Sequence, residues 1–419
     1  MRRNIFVWAL YDFANSIVMI AFLFYFSQWL VVDSGKPDWW YNATLVVSSV
    51  LFIITAPILG QRLDITARKL SGVRITTVLT IAAYLSTALV TLFFPQLVLL
   101  ATILFTFALY FYILSFVYYT PMINDLATFT NKGFVSGIGM GANYLGQVLG
   151  ILAVLPFATG TLYLFGAPGR AQALLPAVIL FALFSLPMLL AYRENIVPVV
   201  QKMRIGDEYQ KILQTFKQII SIRNLSLLII GYFFFSDALL TFSNNFPIYL
   251  EKVYAASDTV KTYLTAAILT FSGIGSVIIG RLADKTGHKR TLLAMLVCWA
   301  VLFVLFAYAP SFSFVIGVTL VGGILFGPMW GVSRAMVGDL APKAIEASSF
   351  SIYTVAERFA TFVGPLTWSA VLAGTSAQGN MSYNYAVLSM SALILMGTFF
   401  VMRIKAIPTE VGSRGNARI

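Results

Sequence analysis

Four charged side chains lie within segments that are otherwise almost wholly apolar: Asp12, Asp237, Glu357 and Arg358. If these segments cross a membrane, each charge costs about 2.5–3.5 kcal/mol at a helix centre and therefore needs a partner or a function. A carboxyl group without a partner in an apolar medium favours its protonated form, so the three acids are candidates for proton coupling. The guanidinium of Arg358 has the shape that binds a substrate carboxylate through two hydrogen bonds. Ion pairing inside the protein, such as Asp12 with Arg334 or Arg358, is the structural alternative.

The composition of the whole chain is that of a protein embedded in lipid. Of its 419 residues, 59% are hydrophobic and only 11% are charged, whereas a soluble domain carries roughly 25% charged residues. The single cysteine, Cys298, excludes an intramolecular disulfide, and no cluster of Cys and His suggests a metal. The net charge is +12. Because the basic residues flank apolar spans, this charge indicates orientation in a membrane rather than a nucleic-acid partner.

Apolar segments long enough to cross roughly 30 Å of hydrocarbon recur twelve times. The longest polar stretch separates the sixth from the seventh and contains an amphipathic, interfacial helix. The predicted spans are 5–32, 42–60, 75–94, 97–121, 134–158, 172–192, 224–250, 259–280, 291–309, 312–337, 348–372 and 383–403. The predicted units are an N-terminal six-helix bundle (1–192), a cytoplasmic linker (193–223), a C-terminal six-helix bundle (224–403) and a cytoplasmic tail (404–419).

The basic residues are distributed unequally between the two sides of the membrane. Twelve crossings put both termini on one side, and all but five of the 28 Lys and Arg residues fall there; the exceptions are Lys36, Arg170, Lys252, Lys261 and Arg358. An excess of Lys and Arg marks the cytoplasmic side. We therefore expect a multi-pass protein of the plasma membrane with both termini in the cytoplasm.

The two halves of the sequence contain similar loops. "GQRLDITARK" and "GRLADKTGHK" align at an offset of 220 residues, so Gly60 matches Gly280 and Asp64 matches Asp284. Both loops follow the second span of their half. Glycine permits a tight turn, and an Asp can accept hydrogen bonds at the start of a nearby helix. A positively charged turn without further function is the alternative, and it is stronger for the first loop.

The apolar segments repeat as well. Asp12 in the first span has a counterpart in Asp237 of the seventh, and "YLGQVLG" is echoed by "RFATFVGP", which aligns Asn143 with Glu357. Two six-helix units in the same orientation are a known plan for transporters, in which the substrate binds between them.

Longer motifs resemble a known family. "GRLADKTGHKR" is similar to the signature loop of the major facilitator superfamily. "WALYDFANS", "GFVSGIGMGANYLG" and "GPMWGVSRAMVGDLAPKAIEASSFSIY" resemble the "unknown major facilitator" family, which is related to the vacuolar amino-acid effluxers of fungi. The resemblance covers nearly the whole chain. Ala67 in the first loop and "YYTPMIND" in the fourth span depart from the family pattern.

This resemblance implies an all-α integral membrane fold of twelve transmembrane helices in two pseudo-symmetric six-helix bundles, which gives alternating access. It implies that Asp64 meets the start of helix 11 near Ser348, and that Asp284 meets the start of helix 5 near 133–136. Contacts of this kind close the cytoplasmic side. The implied gate consists of Gly60, Asp64, Gly280, Asp284, Gly287 and Arg290.

In such a fold, helices 1, 4, 7 and 10 line the central cavity. Their aromatic residues more often serve packing than binding, but their amide and hydroxyl groups add hydrogen-bonding capacity. This mixture suits a small amphipathic solute better than a polyanion. The cavity candidates are Tyr11, Asn15, Tyr25, Tyr118, Asn143, Asn244, Asn245, Trp330, Ser333 and Arg334.

The function indicated is a secondary carrier for a small solute such as an amino acid, either coupled to protons or acting as a facilitator. Efflux of lipophilic drugs or lipids is an alternative, and a carrier-like receptor or assembly partner is another. The absence of a phosphate-binding loop argues against a pump, and the absence of a nucleophile–base pair argues against an enzyme. We expect a monomer in the lipid bilayer, without a cofactor or nucleic-acid partner.

Overall fold

The computed structural model describes residues 2–66, 68–126, 132–194, 217, 221–341, 353 and 362–405. Within these residues the regular structure is helical and contains no strand. The principal helices are α1 (Arg2–Ala21), α2 (Asp38–Thr66), α3 (Lys69–Phe93), α4 (Val98–Tyr119), α5 (Lys132–Ala158), α6 (Leu174–Ala191), α7 (Arg223–Tyr254), α8 (Asp258–Thr286), α9 (His288–Ala307), α10 (Phe312–Leu340), α11 (Val363–Gly374) and α12 (Met381–Met402).

Helix α1 does not stop at Ala21 but continues in a widened form to Asp33. Two π-helical segments, Phe22–Phe26 and Trp29–Asp33, extend it. The residues between them bind the carbonyl oxygen of Phe24 with their side chains, Ser27 Oγ at 3.0 Å and Gln28 Nε2 at 2.8 Å. These bonds satisfy a backbone acceptor that a widened helix leaves poorly paired.

Eleven of the described helices are long and apolar enough to cross a membrane. They coincide with eleven of the twelve predicted spans. The twelfth, predicted at 348–372, is described as a helix only over Val363–Gly374, the twelve residues of α11. The predicted amphipathic helix lies almost entirely outside the described residues.

Helices α1–α6 and α7–α12 form two halves with similar internal packing. Helix α1 packs against α5 and α6, as α7 packs against α11 and α12; α2 packs on α4, as α8 does on α10. The halves meet through α5 with α8 and α2 with α11. Glycine makes the closest approaches possible. A Cβ on Gly275 of α8 would lie 1.9 Å from the Ile324 carbonyl oxygen of α10.

The helix ends lie on two faces of the molecule. We call "terminal face" the one that holds the start of α1 and the end of α12, and "opposite face" the other. Contacts between ends define the terminal face: Asn4 with Arg193, Lys69 with Asp125, His288 with Asp339, and Asn224 with Lys405. The links α1–α2 and α7–α8 lie on the opposite face, near residue 170.

Candidate functional site

Asp12 sits on α1 against a polar strip of α5. Its side chain is 9% exposed, and its Oδ1 accepts a hydrogen bond of 3.2 Å from Nδ2 of Asn143. The Oδ1 of Asn143 accepts in turn from Nε2 of Gln147 at 2.7 Å. Ten residues separate Asp12 from the start of α1, about 15 Å at 1.5 Å per residue. The carboxyl group thus lies inside the protein but nearer to the terminal face.

Asp237 sits near the middle of α7, at the first turn of α11. It is completely buried, and its Oδ2 accepts a hydrogen bond of 2.6 Å from the backbone N–H of Gly364. The hydroxyl of Thr241 lies 3.5 Å from Oδ1. Because Gly364 is the second residue of α11, the carboxyl group caps a helix start that would otherwise leave a buried donor unpaired. A side chain at Gly364 would strike this carboxyl group, with 2.7 Å between Cβ and Oδ1.

The contacts show that Asp12 and Asp237 are not equivalent positions of the repeat. Gly150 of α5 lies against Ile17, and its sequence counterpart Gly364 lies against Asp237. Asp237 therefore occupies the position in its half that Ile17 occupies in the other. The two residues are 220 positions apart, the same offset that separates the two similar loops. The counterpart of Asp12 is therefore at or beside Tyr232. Asp237 lies about five residues, or about 7.5 Å, farther along its helix than Asp12.

Amide and backbone N–H groups, rather than cations, hold the two acids. Among the described residues, no Lys or Arg lies within ion-pair distance of Asp12 or Asp237. The expected pairing of Asp12 with Arg334 is therefore not found, since Arg334 is exposed on α10 and Asn143 takes that place. Glu357 and Arg358 lie outside the described residues, so pairing with Arg358 stays a prediction.

On the opposite face, one arginine joins both halves. The guanidinium of Arg170, just before α6, contacts Asp33 Oδ1 at 2.5 Å at the end of α1. It also contacts Glu251 at 2.5 Å on α7 and Asp258 at 2.9 Å on α8. The Arg170 side chain is only 12% exposed. It therefore binds one acid of its own half and two of the other half.

Lys261 of α8 completes this opposite-face cluster, which we define as Gln28, Asp33, Arg170, Glu251, Asp258 and Lys261. Its completely buried ammonium group binds Glu251, Gln28 and, at 2.8 Å, Asp258. Glu251 and Asp258 thus each bind both cations. Removing one partner from a buried ion pair costs about 3–5 kcal/mol. The cluster therefore holds the two halves together at the opposite face.

Below the cluster, neutral hydrogen bonds also join the halves. The hydroxyl groups of Tyr25 and Thr262 lie 2.7 Å apart. Asn42 of α2 donates to Ser369 of α11 at 3.0 Å and accepts from Asn245 of α7 at 3.1 Å. Tyr25 and Asn245, expected in the cavity, are therefore buried in contacts between the halves.

At the terminal face, the described charged contacts stay within one half. His288 contacts Asp339 at 2.6 Å and Asp284 at 3.4 Å, all in the C-terminal half. The Asp284 side chain is 74% exposed. Lys69 binds Asp125 within the N-terminal half.

The expected gate residues are only partly described. Gly287 has a φ of +94°, a conformation that favours glycine, and it ends α8. A Cβ on Gly280 would meet nothing within 4 Å, and Arg290 is exposed. The side chains of Asp64 and Ser136, the surroundings of Gly60 and Gly133, and the expected partner near Ser348 lie outside what the structure describes.

The remaining cavity candidates fall into two groups. Tyr11 bonds Thr77 at 2.6 Å, the Tyr118 ring covers Gly72, and Ser333 accepts from Tyr353 at 3.3 Å; these serve packing within a half. Asn15 is buried, whereas Asn244 and Trp330 are half-buried and Arg334 is exposed.

Sequence reasoning missed the opposite-face cluster. A signal was present, because Arg170 and Lys261 are two of the few basic residues on that side. The positive-inside rule explains basic residues on the cytoplasmic side only. A basic residue on the other side is therefore expected to bind an acidic side chain within the protein.

The fold is similar to that of solved membrane transporters. A crystal structure of a mutant of the nucleoside transporter NupG superposes with a TM-score of 0.78, over 96% of this chain and all of that chain, at 12% identity. The similarity establishes a twelve-helix, two-bundle fold of the major facilitator type.

The sequence identifies the family. The model described as "Vacuole effluxer Atg22 like" matches residues 128–408, and the chain belongs to this family. "Uncharacterized MFS-type transporter YxiO" of Bacillus subtilis (strain 168) is 23% identical, over 97% of this chain and 95% of its own length. A "Na(+), Li(+), K(+)/H(+) antiporter" of Planococcus maritimus is 30% identical over 46% of each chain.

Proposed function

We propose that this protein is a secondary carrier that moves a small amphipathic solute, such as an amino acid, by alternating access coupled to protons. The observation that carries the proposal is the position of the polar contacts between the halves. The charged contacts that cross between them cluster at the opposite face, whereas those described at the terminal face stay within one half. A molecule held together at one face is suited to opening at the other.

The buried acids support coupling. Asp12 and Asp237 have no cationic partner among the described residues, and each is held by N–H donors. Such a carboxyl group can exchange a proton without breaking an ion pair. Asp12 lies nearer to the terminal face and Asp237 is deeper, so the two positions suit proton uptake at different depths.

The family supports transport of a solute across a membrane, since its model carries the name of a vacuole effluxer. The proposed orientation rests on charge, and the plasma membrane stays a prediction. The terminal face carries most of the Lys and Arg residues and is the cytoplasmic face in this proposal, with both termini there and the plasma membrane as location.

Uptake into proteoliposomes tests the proposal. The purified protein is reconstituted, a pH gradient is imposed, and flux is measured for a panel of amino acids and other small amphipathic solutes. We expect at least one solute to accumulate in response to the gradient. Liposomes with the Asp237→Asn variant are the control. No flux for any solute of a broad panel would refute the carrier function.

Exchange of a monovalent cation for a proton is a second candidate. It is favoured by the antiporter relative and by two buried carboxyl groups without cationic partners. The same vesicles, loaded with a pH-sensitive dye, distinguish the candidates. Added Na+ or K+ dissipates the pH gradient if the protein is an antiporter, and leaves it unchanged if only organic solutes are carried.

A further inference from the structure

The link between α5 and α6 exposes an apolar tip on the opposite face. We call residues 160–169 the α5–α6 loop. None of them is charged. Four consecutive large apolar side chains form the tip: Leu162, Tyr163, Leu164 and Phe165, which are 51%, 62%, 42% and 53% exposed. A contiguous apolar patch of this kind marks a surface that binds another protein or a membrane.

The fold does not require an apolar tip at this place. The C-terminal half joins α11 to α12 at the corresponding position of the repeat. That link, "TSAQGN" from Thr375 to Asn380, contains no large apolar residue, although its residues 376–380 are exposed as well. The two links therefore suit different surroundings, because exposed apolar surface in water is unfavourable and the polar link has none to cover.

A buried glutamine gives the loop a fixed shape. Gln172 is 1% exposed. Its Oε1 accepts from the backbone N–H of Leu164 at 3.1 Å, and its Nε2 donates to the carbonyl oxygens of Phe165 and, at 2.8 Å, of Ala167. Irregular backbone enters the edge of a bilayer without penalty only where its polar groups are paired within the protein. These three backbone groups meet that condition.

The loop folds back against the end of a membrane span. The ring centroid of Phe165 lies 5.8 Å from that of Phe93, the last residue of α3. A Cβ on Gly166 would lie 3.7 Å from the carbonyl oxygen of Leu92. The large exposed apolar residues of α3 lie on one face at helical spacing: Ile75, Val78, Leu79, Leu89 and Phe93. The tip therefore continues the lipid-facing surface of α3 at the level where that span ends.

We propose that the α5–α6 loop is an interfacial anchor, whose apolar tip inserts into the lipid leaflet at the opposite face. Aromatic side chains such as that of Tyr163 are enriched at the boundary between lipid headgroups and acyl chains. The strength of such binding grows with the apolar area that enters the leaflet. Since the loop is uncharged, its insertion does not require anionic headgroups. The inference is independent of the solute that the protein carries.

A fluorescent label on the tip tests the anchor. Tyr163→Cys is labelled with bimane in a Cys298→Ser background, and Gln378→Cys on the polar link of the same face is the matched control. Both proteins are placed in phosphatidylcholine nanodiscs, in which each face is open to the water. A quencher attached near the top of the acyl chains should quench the label of Tyr163→Cys strongly and that of the control weakly. Iodide in the water should do the reverse.

Leu162→Ser combined with Leu164→Ser tests the cause of insertion. The double variant removes apolar surface from the tip but keeps the backbone groups that Gln172 binds. The label of Tyr163→Cys should then lose its quenching by the lipid and become as accessible to iodide as the control. The melting temperature of each variant is recorded to verify folding.

Strong iodide quenching of the Tyr163→Cys label in the otherwise unmodified protein, equal to that of the control, would overturn the anchor. The tip would then be a surface for a protein partner. Lipid quenching that persists in the double serine variant would also overturn it, because the apolar side chains would not be the cause of insertion. So would quenching by the lipid that appears only after anionic phosphatidylglycerol is added.

Discussion

The opposite face and the terminal face differ in what their charged residues join. At the opposite face, Arg170 and Lys261 bind acids and an amide of both halves. At the terminal face, His288 and Lys69 bind acids of their own half. When two halves pivot as rigid bodies, bonds within a half persist and bonds between halves must break. The comparison therefore separates residues that set the conformational equilibrium from residues that only stabilise the fold of their own half.

Of the variants considered, Lys261→Met should shift the equilibrium between opening at the two faces the most. The variant leaves Glu251 and Asp258 buried with one cation fewer, at a cost of about 3 kcal/mol or more. This shifts the population toward opening at the opposite face by about 100-fold. The shift is measured as the labelling rate of Tyr25→Cys, whose position is completely buried beneath the cluster, in a Cys298→Ser background.

Lys36→Met is the matched control, because Lys36 also lies on the opposite face but its ammonium group contacts the Trp40 ring of its own half, 5.1 Å from the ring centroid. It should leave the labelling rate unchanged. An unchanged rate in Lys261→Met as well would show that the cluster does not close the opposite face.

Asp12→Asn and Asp237→Asn should uncouple transport from the proton gradient. Each Asn keeps an acceptor for Asn143 or Gly364 but cannot exchange a proton. We expect gradient-driven uptake to fall to the level seen without a gradient, while counterflow exchange persists. Both rates are measured in the same proteoliposomes. Equal loss in the two assays would instead assign these acids a structural or substrate-binding role.

Tyr25→Phe should shift the equilibrium in the same direction as Lys261→Met, but less. It removes one neutral hydrogen bond between the halves, worth about 1 kcal/mol or about five-fold. Thr262→Val removes the same bond from the other side. Cross-linking yields across the opposite face should fall equally in both single variants and no further in the double variant. Additive effects would show that the two hydroxyl groups act independently.

His288→Gln should have the smallest effect. Its contacts with Asp284 and Asp339 lie within the C-terminal half and are partly exposed, and such pairs contribute about 0–1 kcal/mol. We expect transport within about two-fold of the unmodified protein. A larger change in the rate, at unchanged melting temperature, would mean that the terminal face also controls the equilibrium.

The sequence predicts the helices well, because hydrophobic length is a local property. Eleven of the twelve predicted spans coincide with described helices, and the repeat of the Gly60 and Gly280 loops matches the similar packing of the halves. Pairing between distant residues is not local. Arg170 meets residues 137 positions before it and 81 and 88 positions after it, and no periodicity indicates such contacts.

The site was harder to predict than the fold for the same reason. Burial of Asp12 and Asp237 follows from their apolar segments, but their partners do not. The side-chain amide of Asn143 and the backbone N–H of Gly364 become partners only when α5 and α11 pack on α1 and α7. Tyr25 looks like a cavity residue in sequence because hydropathy does not distinguish a cavity wall from a contact between the halves.

Distances across the two faces test the central claim most directly. Spin labels are placed at Trp39 and Tyr308 for the opposite face, and at Arg68 and Arg290 for the terminal face, all exposed positions in different halves, in a Cys298→Ser background. Introducing Lys261→Met should lengthen the first distance and shorten the second. Two distances that stay fixed, or that change in the same direction, would contradict alternating access between these faces.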